Sequence, residues 1–437
     1  MKFQNVIGRA AALCVAFSIA LGSCATNMKQ QDVTLAIVNA HVWTANPKQP
    51  WASGIAVAGD SIISVGSSAE IAKLAKASPN ARVIDAKGGF VAPGFIDSHV
   101  HFITGGFRLA SVQLRDAKTP QEFAARIKAF AATVAPGTWI TGGDWDHQQW
   151  GGELPTRAWI DSVTPNNPVW VSRLDGHMAL ANGLALAAGK VTKATADIEG
   201  GTIVRDAAGN PTGILKDNAQ SYVDNVEPPA SDEMNDRALA AAMKYVAERG
   251  VTSVHNMGDF VGLAAIERAH LARSLITRIY QVTPISQWER LRDTVAKRGK
   301  GDNWVRIGGL KGFVDGSLGS HTAAMFAPFT DSPKDSGFFV NTEADLYQWT
   351  SEGDKAGLQI IVHAIGDRAI NRQLDIFERV AKENGAKDRR FRIEHAQHIA
   401  PGDIPRFAAL GVIPSMQPYH AIDDGRWAEK VIGPERA

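Results

Sequence analysis

Four histidines and one lysine stand where short apolar runs end. His99 and His101 close a run that begins at Phe95. His363 follows Ile360, Ile361 and Val362, and His395 follows Arg392, Ile393 and Glu394. Lys311 ends a run through Ile307 and Leu310. Side chains two apart on a strand face the same way, so His99 and His101 share one side. Neutral imidazoles gathered at one place bind a divalent metal. A lysine among them is odd as a cation. It is sensible if its amine takes up CO2, because the carbamate is a carboxylate-like bridge between two metals. The alternative is an ammonium paired with Asp315 or with a substrate anion, and Asp315 is counted among the substrate-facing residues. Any one of these histidines is more often core or surface than ligand. Four of them at three strand ends are hard to assign to chance.

The elements that must position them follow from the apolar pattern. Short apolar strands are expected at 94–101, 251–257, 277–282, 305–313, 359–364, 391–396 and 411–416, with amphipathic helices such as 232–249, 369–384 and 404–409 between them. Strands alternating with helices indicate parallel βα units. Polar residues at the strands' C-terminal ends are where a (β/α)8 barrel places its active site. Residues 33–92 instead carry short strands with turn signals and read as a small N-terminal β-sandwich part. The barrel occupies 93–437. Residues 105–245 interrupt its first βα step and hold two more strand-like pieces, 138–142 and 168–172. They read as a lid or substrate wall, in which Trp145 and Trp150 could line an apolar pocket or belong to core.

The composition narrows the function classes. Hydrophobic residues make up 45% and charged residues 21%, as in an ordinary globular protein. Lys+Arg 46 against Asp+Glu 45 leaves no basic excess for nucleic acid. The chain has two cysteines, both within its first 24 residues, which exclude a disulfide framework and an iron–sulfur cluster. Lys2 and Arg9 precede an uncharged, mostly apolar run from Ala10 to Gly22, the layout of a secretory signal peptide over 1–23. Leu21, Gly22, Ser23 and Cys24 resemble the bacterial lipobox, which implies lipidation at Cys24 and a tether over 24–32. With alanine at 25, the outer membrane facing the periplasm is the expected location; the inner membrane and a soluble periplasmic form are the alternatives.

Taken together, the motifs resemble the metal-dependent amidohydrolase superfamily, in the branch (amidohydrolase family 3) that includes N-substituted formamide deformylase. The resemblance runs from about Leu35 to Ala437. It rests on Pro93-Gly-Phe-Ile-Asp-Ser-His-Val-His101, on the run from Ser172 through His177 to Asn182, on the run from Leu310 to Ser320, and on the His363 and His395 segments. It implies an α/β fold, a TIM-like barrel with a β-sandwich. His99, His101, Lys311, His363 and His395 would be metal ligands, and His177 would face the substrate. His398 is either an outer neighbour of the site or surface. One or two divalent ions are implied, zinc first, with iron or manganese as alternatives. The expected partner is a small amide-type molecule; the oligomeric state is left open.

The family also carries a metal-binding aspartate at the end of strand eight, usually in a Gly-Ser-Asp setting. The strand count here stops at seven, and Asp423 and Asp424 do not match that position. The sequence therefore reads as C-terminally truncated, with poor activity expected. The expected function is hydrolysis of a non-peptide C–N bond by metal-activated water. Alternatives are a catalytically inactive lipid-anchored binding protein and a lactonase- or phosphotriesterase-like hydrolase.

Overall fold

The computed structural model describes residues 32–437. The signal segment 1–23, Cys24 and the tether up to residue 31 lie outside the described residues. The chain divides into two compact units at Pro93/Gly94.

Among the described residues the first unit has seven short strands: β1 (Leu35–Val38), β2 (His41–Trp43), β3 (Trp51–Ala52), β4 (Gly54–Ala58), β5 (Ser61–Gly66), β6 (Arg82–Asp85) and β7 (Phe90–Val91). They form a four-stranded sheet in the order β5-β4-β1-β6 and a three-stranded sheet β3-β2-β7. Helix α1 (Ser68–Lys76) starts at a capping box in which Ser67 and Glu70 satisfy each other's backbone N–H groups. Its Ile71 and Ala75 pack with Ala36, Val38 and Ala56. The described core of this unit thus lies between the four-stranded sheet and α1.

The second unit opens with β8 (Phe95–Val100) and α2 (Phe102–Leu109). The insertion follows, with β9 (Val112–Gln113), α3 (Pro120–Ala131), β10 (Ile140–Trp145), β11 (Val169–Arg173), β12 (Met178–Ala181), β13 (Gly201–Arg205) and β14 (Pro211–Asp217). Its six strands make a sheet of their own, β13-β14-β12-β11-β10-β9, with a buried core that includes Phe123, Ile140, Val171 and Leu180. Only two of these strands were expected from the sequence. Gly201 and Gly213 interrupt the apolar pattern of β13 and β14, and β12 is one continuous buried run without alternation.

Six further strands complete the parallel sheet: β15 (Val251–Met257), β16 (Arg278–Pro284), β17 (Val305–Phe313), β18 (Gln359–Ala364), β19 (Arg392–His395) and β20 (Ile413–Ser415). The order is β20-β19-β18-β17-β16-β15-β8, every neighbour parallel. This is a mixed α/β fold with a nearly closed, TIM-like parallel barrel of seven described strands. Among the described residues β8 and β20 are its two edges.

Local sequence explains the surrounding helices. The helix Asp232–Ala247 begins where the Ser231 hydroxyl accepts from the Met234 N–H, with Asp232 and Glu233 in its first turn. Carboxylates there complement the helix dipole. The helix Asp367–Glu383 buries Ile370, Leu374, Phe377 and Val380, spaced three or four apart on one face. Each such apolar side chain contributes about 1.5–3 kcal/mol on burial. Phe377 stacks on Phe391, with centroids 4.3 Å apart, just ahead of β19.

Candidate active site

The C-terminal ends of β8, β17, β18 and β19 bring four imidazoles and one amine around a cavity of about 500 Å³, lined by His99, His101, Lys311, His363 and His395. Ring centroids lie 5.8 Å apart for His99 and His101, 4.8 Å for His99 and His395, and 4.6 Å for His363 and His395. Backbone strain aims the last of these. His395 has φ 70° and Ala396 φ 44°, two successive non-glycine residues in the left-handed region. Each costs about 1–3 kcal/mol, and such costs persist mainly at functional positions. Gly366 closes the floor beside His363, because a Cβ there would lie 2.1 Å from the Ala324 carbonyl oxygen.

Three of the four imidazoles have one nitrogen already engaged. His99 Nδ1 meets the Glu394 carboxylate, His395 Nδ1 meets Gln417 Oε1 at 2.8 Å, and His363 Nε2 meets the Gly316 carbonyl at 2.9 Å. These acceptors require the facing nitrogen to carry the proton. The other nitrogen of each ring therefore keeps its lone pair. Burial, reinforced by Lys311 and neighbouring histidines, holds the imidazoles well below their ordinary range, with His101 pushed down to about 3. They are neutral donors near neutral pH.

Lys311 is 5% exposed, and its Nζ has no hydrogen-bond partner. Burial pushes its ammonium down to about 7, although the Glu394 charge opposes the shift. The alternative pairing with Asp315 does not occur. Asp315 is fully buried and accepts backbone N–H groups from Ala324, Ile365 and Gly366. Its carboxyl is pushed up to about 7 by burial. It does not line the cavity, so the expectation that it faces substrate is corrected. It braces the loops behind His363, from which it lies 3.7 Å.

His177 does line the cavity. Its Nδ1 lies 2.6 Å from Asp217 Oδ1, and its ring centroid is 4.8 Å from that of His363. Burial works against its protonation, but the Asp217 carboxylate outweighs it and raises the pKa. Both tryptophans take the core alternative, which corrects the substrate-facing expectation for Trp145. Trp145 is fully buried in the insertion core and donates from Nε1 to the Val171 carbonyl. Trp150 packs on Phe123 and Trp159 and donates to the Glu153 carbonyl. Neither reaches the cavity wall. His398 lines an adjoining cavity and lies near the Arg436 carbonyl, at 3.3 Å.

Sequence reasoning missed the residues that hold the ligand set. Glu394 is fully buried and accepts from Arg392 Nε at 2.7 Å and from Ser415 Oγ at 2.9 Å, besides meeting His99. Asp175 lines the cavity and accepts from Arg173 Nη1, Ser317 and Ser320. Gln417, His420, Asp423 and Asp424 also line it. Two charged residues inside the apolar run ending at His395 were the one available signal for Glu394. Asp175 lies inside the run from Ser172 to Asn182 but only His177 was picked from it, and nothing nearby in sequence marks Gln417.

Among the described residues, no group of three or more His, Cys, Asp and Glu forms a ready metal cage. The donor chemistry nevertheless fits a divalent ion. Neutral imidazoles are oriented by outer acceptors, and a buried amine lacks a partner. Both are what ligands awaiting a metal require.

Comparison with known proteins bears on this site. The family model described as "Amidohydrolase family" matches residues 82–437. The chain belongs to the amidohydrolase family. Protein LONG AFTER FAR-RED 3 of Arabidopsis thaliana is 40% identical over 415 residues, covering 92% of this chain and 71% of its own length. N-substituted formamide deformylase of Arthrobacter pascens is 28% identical over 395 residues, 86% of this chain and 71% of its own. The crystal structure of an uncharacterized metal-dependent hydrolase from Pyrococcus horikoshii superposes with a TM-score of 0.71 at 28% identity, covering 92% of this chain and 78% of that one. Family and fold together support a hydrolase, and the family implies a divalent metal.

Proposed function

We propose that this protein hydrolyses a non-peptide C–N bond, as in an amide, formamide or cyclic amide, of a small molecule. The observation that carries the reading is the ring of neutral, acceptor-oriented imidazoles around the unpartnered amine of Lys311. His99, His101, Lys311, His363 and His395 would hold one or two divalent ions, zinc by the preference of imidazole. Such an ion supplies Lewis acidity, polarising a carbonyl and making hydroxide available near neutral pH.

The chain's own residues do the rest. Neutral Lys311 attacks CO2 through its nitrogen; an N–C bond forms as one C=O π bond opens onto oxygen, one N–H proton passes to water, and a carbamate with two oxygen donors results. Glu394 and Gln417 fix the tautomers of His99 and His395. His177, protonated against Asp217, has its second N–H to offer to a substrate oxygen as charge develops there. Asp424 and His420 are a carboxyl and an imidazole on the same wall, from which a proton can pass to the leaving nitrogen.

The test is amine release from N-benzylformamide and a panel of linear and cyclic amides, with zinc or manganese and bicarbonate supplied. Turnover that disappears in Lys311→Ala and His363→Ala supports the reading. Bound metal and bound ligand without turnover of any amide would make the protein a binding protein instead. We further propose that lipid on Cys24 anchors the mature chain at the outer membrane. Cys24→Ala should then move it from the membrane fraction to the soluble periplasmic fraction.

A further inference from the structure

Two guanidinium groups stand on the insertion side of the cavity. Arg108 lies in the last turn of α2, and Arg115 lies in the loop between β9 and α3. Both line the same cavity as His101 and Lys311. Arg108 Nη1 lies 2.6 Å from Asp144 Oδ1. Burial raises the Asp144 carboxyl, and the charges of Arg108 and then Arg115 oppose that rise. Among the described residues Arg115 has no ion-pair or hydrogen-bond partner of its own. Asp144 has a left-handed backbone, φ 54°.

The other charges on the wall do not offset this pair. Arg173 is 3% exposed and lies against two carboxylates, Asp146 and Asp175, and the charges of His177 and Lys216 also bear on Asp175. Asp423 is paired with Arg426. Burial pushes the Asp424 carboxyl toward its neutral form, and it accepts from Gln397 Nε2. Arg108 is matched by Asp144, so Arg115 stands at the wall as a guanidinium without an ion-pair partner among the described residues. An arginine fork without an acceptor matches the two oxygens of a carboxylate.

We propose that the substrate is an amide bearing a carboxylate away from the scissile bond, and that Arg115, supported by Arg108, recognises that carboxylate. The scissile bond rests on the hydrolytic reading above; the anion recognition needs neither metal nor turnover.

The experiment compares N-formylphenylalanine with its neutral C-terminal amide, binding each calorimetrically to the metal-free and the metal-loaded chain. The free acid should bind about 10-fold tighter than the amide at low salt, a difference of about 1.4 kcal/mol. Raising the salt should shrink that ratio. Arg115→Gln should abolish it, and Arg115→Lys should keep part of it. Thermal unfolding of the variants confirms that they are folded. Equal binding of acid and amide overturns the proposal, as does a preference that survives in Arg115→Gln. A preference confined to the metal-loaded chain also overturns it, because the carboxylate would then be held by metal. An intact preference with no hydrolysis of these compounds or of any amide on the panel refutes the hydrolytic reading while leaving the recognition in place.

Discussion

Replacing Glu394 by glutamine tests how the site holds its histidines. The carboxylate takes three donors on two oxygens: Arg392 Nε on Oε1, and His99 Nδ1 with Ser415 Oγ on Oε2. A glutamine can offer its oxygen to Arg392, but its NH2 then faces His99 and Ser415. The serine hydroxyl can turn and accept. The imidazole can accept only by moving its proton to Nε2, which removes the lone pair a metal would use. Arg392, itself buried, loses its counter-charge but keeps contacts to the Ser98 carbonyl, Ser415 Oγ and His255 Nδ1. Breaking one side of a buried pair costs about 3–5 kcal/mol, and those retained contacts place the loss near the lower end. Metal affinity should fall about 10- to 100-fold, the usual effect of removing an outer partner of a ligand. Competition with a chelator measures the affinity, and urea denaturation of the metal-free chain measures the stability. Imidazole nitrogen shifts report the His99 tautomer. Unchanged affinity in Glu394→Gln, with His99 still protonated on Nδ1, would refute the reasoning and reduce Glu394 to the counter-ion of Arg392.

Three further outcomes follow from the same geometry. Trp145→Ala empties a fully buried core site and leaves the Val171 carbonyl without its donor, so urea denaturation should show a loss of about 3–5 kcal/mol; a loss below about 1 kcal/mol would contradict its core placement. Lys311→Met removes a buried amine without a partner. The metal-free variant should be about 1–3 kcal/mol more stable than the wild type in a denaturation assay, while amide hydrolysis is abolished. Glu227, partly exposed, is pushed up to about 6 by burial and then by Asp224, above its ordinary 4.5. The folded state binds this proton more tightly, so the contribution is fully present below pH 4.5 and is lost as pH rises through about 6. Glu227→Gln should gain up to about 1 kcal/mol above neutrality, a figure reduced for solvent screening, and nothing in acid; an equal gain at both ends of a pH series of melting curves would count against the shift.

The contrast between Lys311 and Asp315 shows where sequence stops being informative. They are four residues apart, and opposite charges at that distance suggest a pair. In the structure Lys311 faces the cavity from β17 with no partner, while Asp315 turns behind the site to collect three backbone N–H groups. Trp145 and Glu394 make the same point in opposite directions. The tryptophan suggested an apolar pocket and proved to be core. The glutamate was given no role from the sequence and is the acceptor that orients His99.

The sequence by itself determined the alternation of strands and helices, the bounds of β15, β17 and β18, and the placing of His99, His101, Lys311, His363 and His395 at strand ends. Those features are written in local periodicity and in the residue types that end each run. Tertiary structure decided which acceptors face those histidines and that the insertion folds as a six-stranded sheet. It also decided that Arg108, paired with Asp144, and the unpaired Arg115 stand on one cavity wall. Each of these depends on residues tens to hundreds of positions apart, as with His99 and Glu394. Chain closure, hydrogen-bond satisfaction and burial select such pairings only once the sheet has brought the strand ends together.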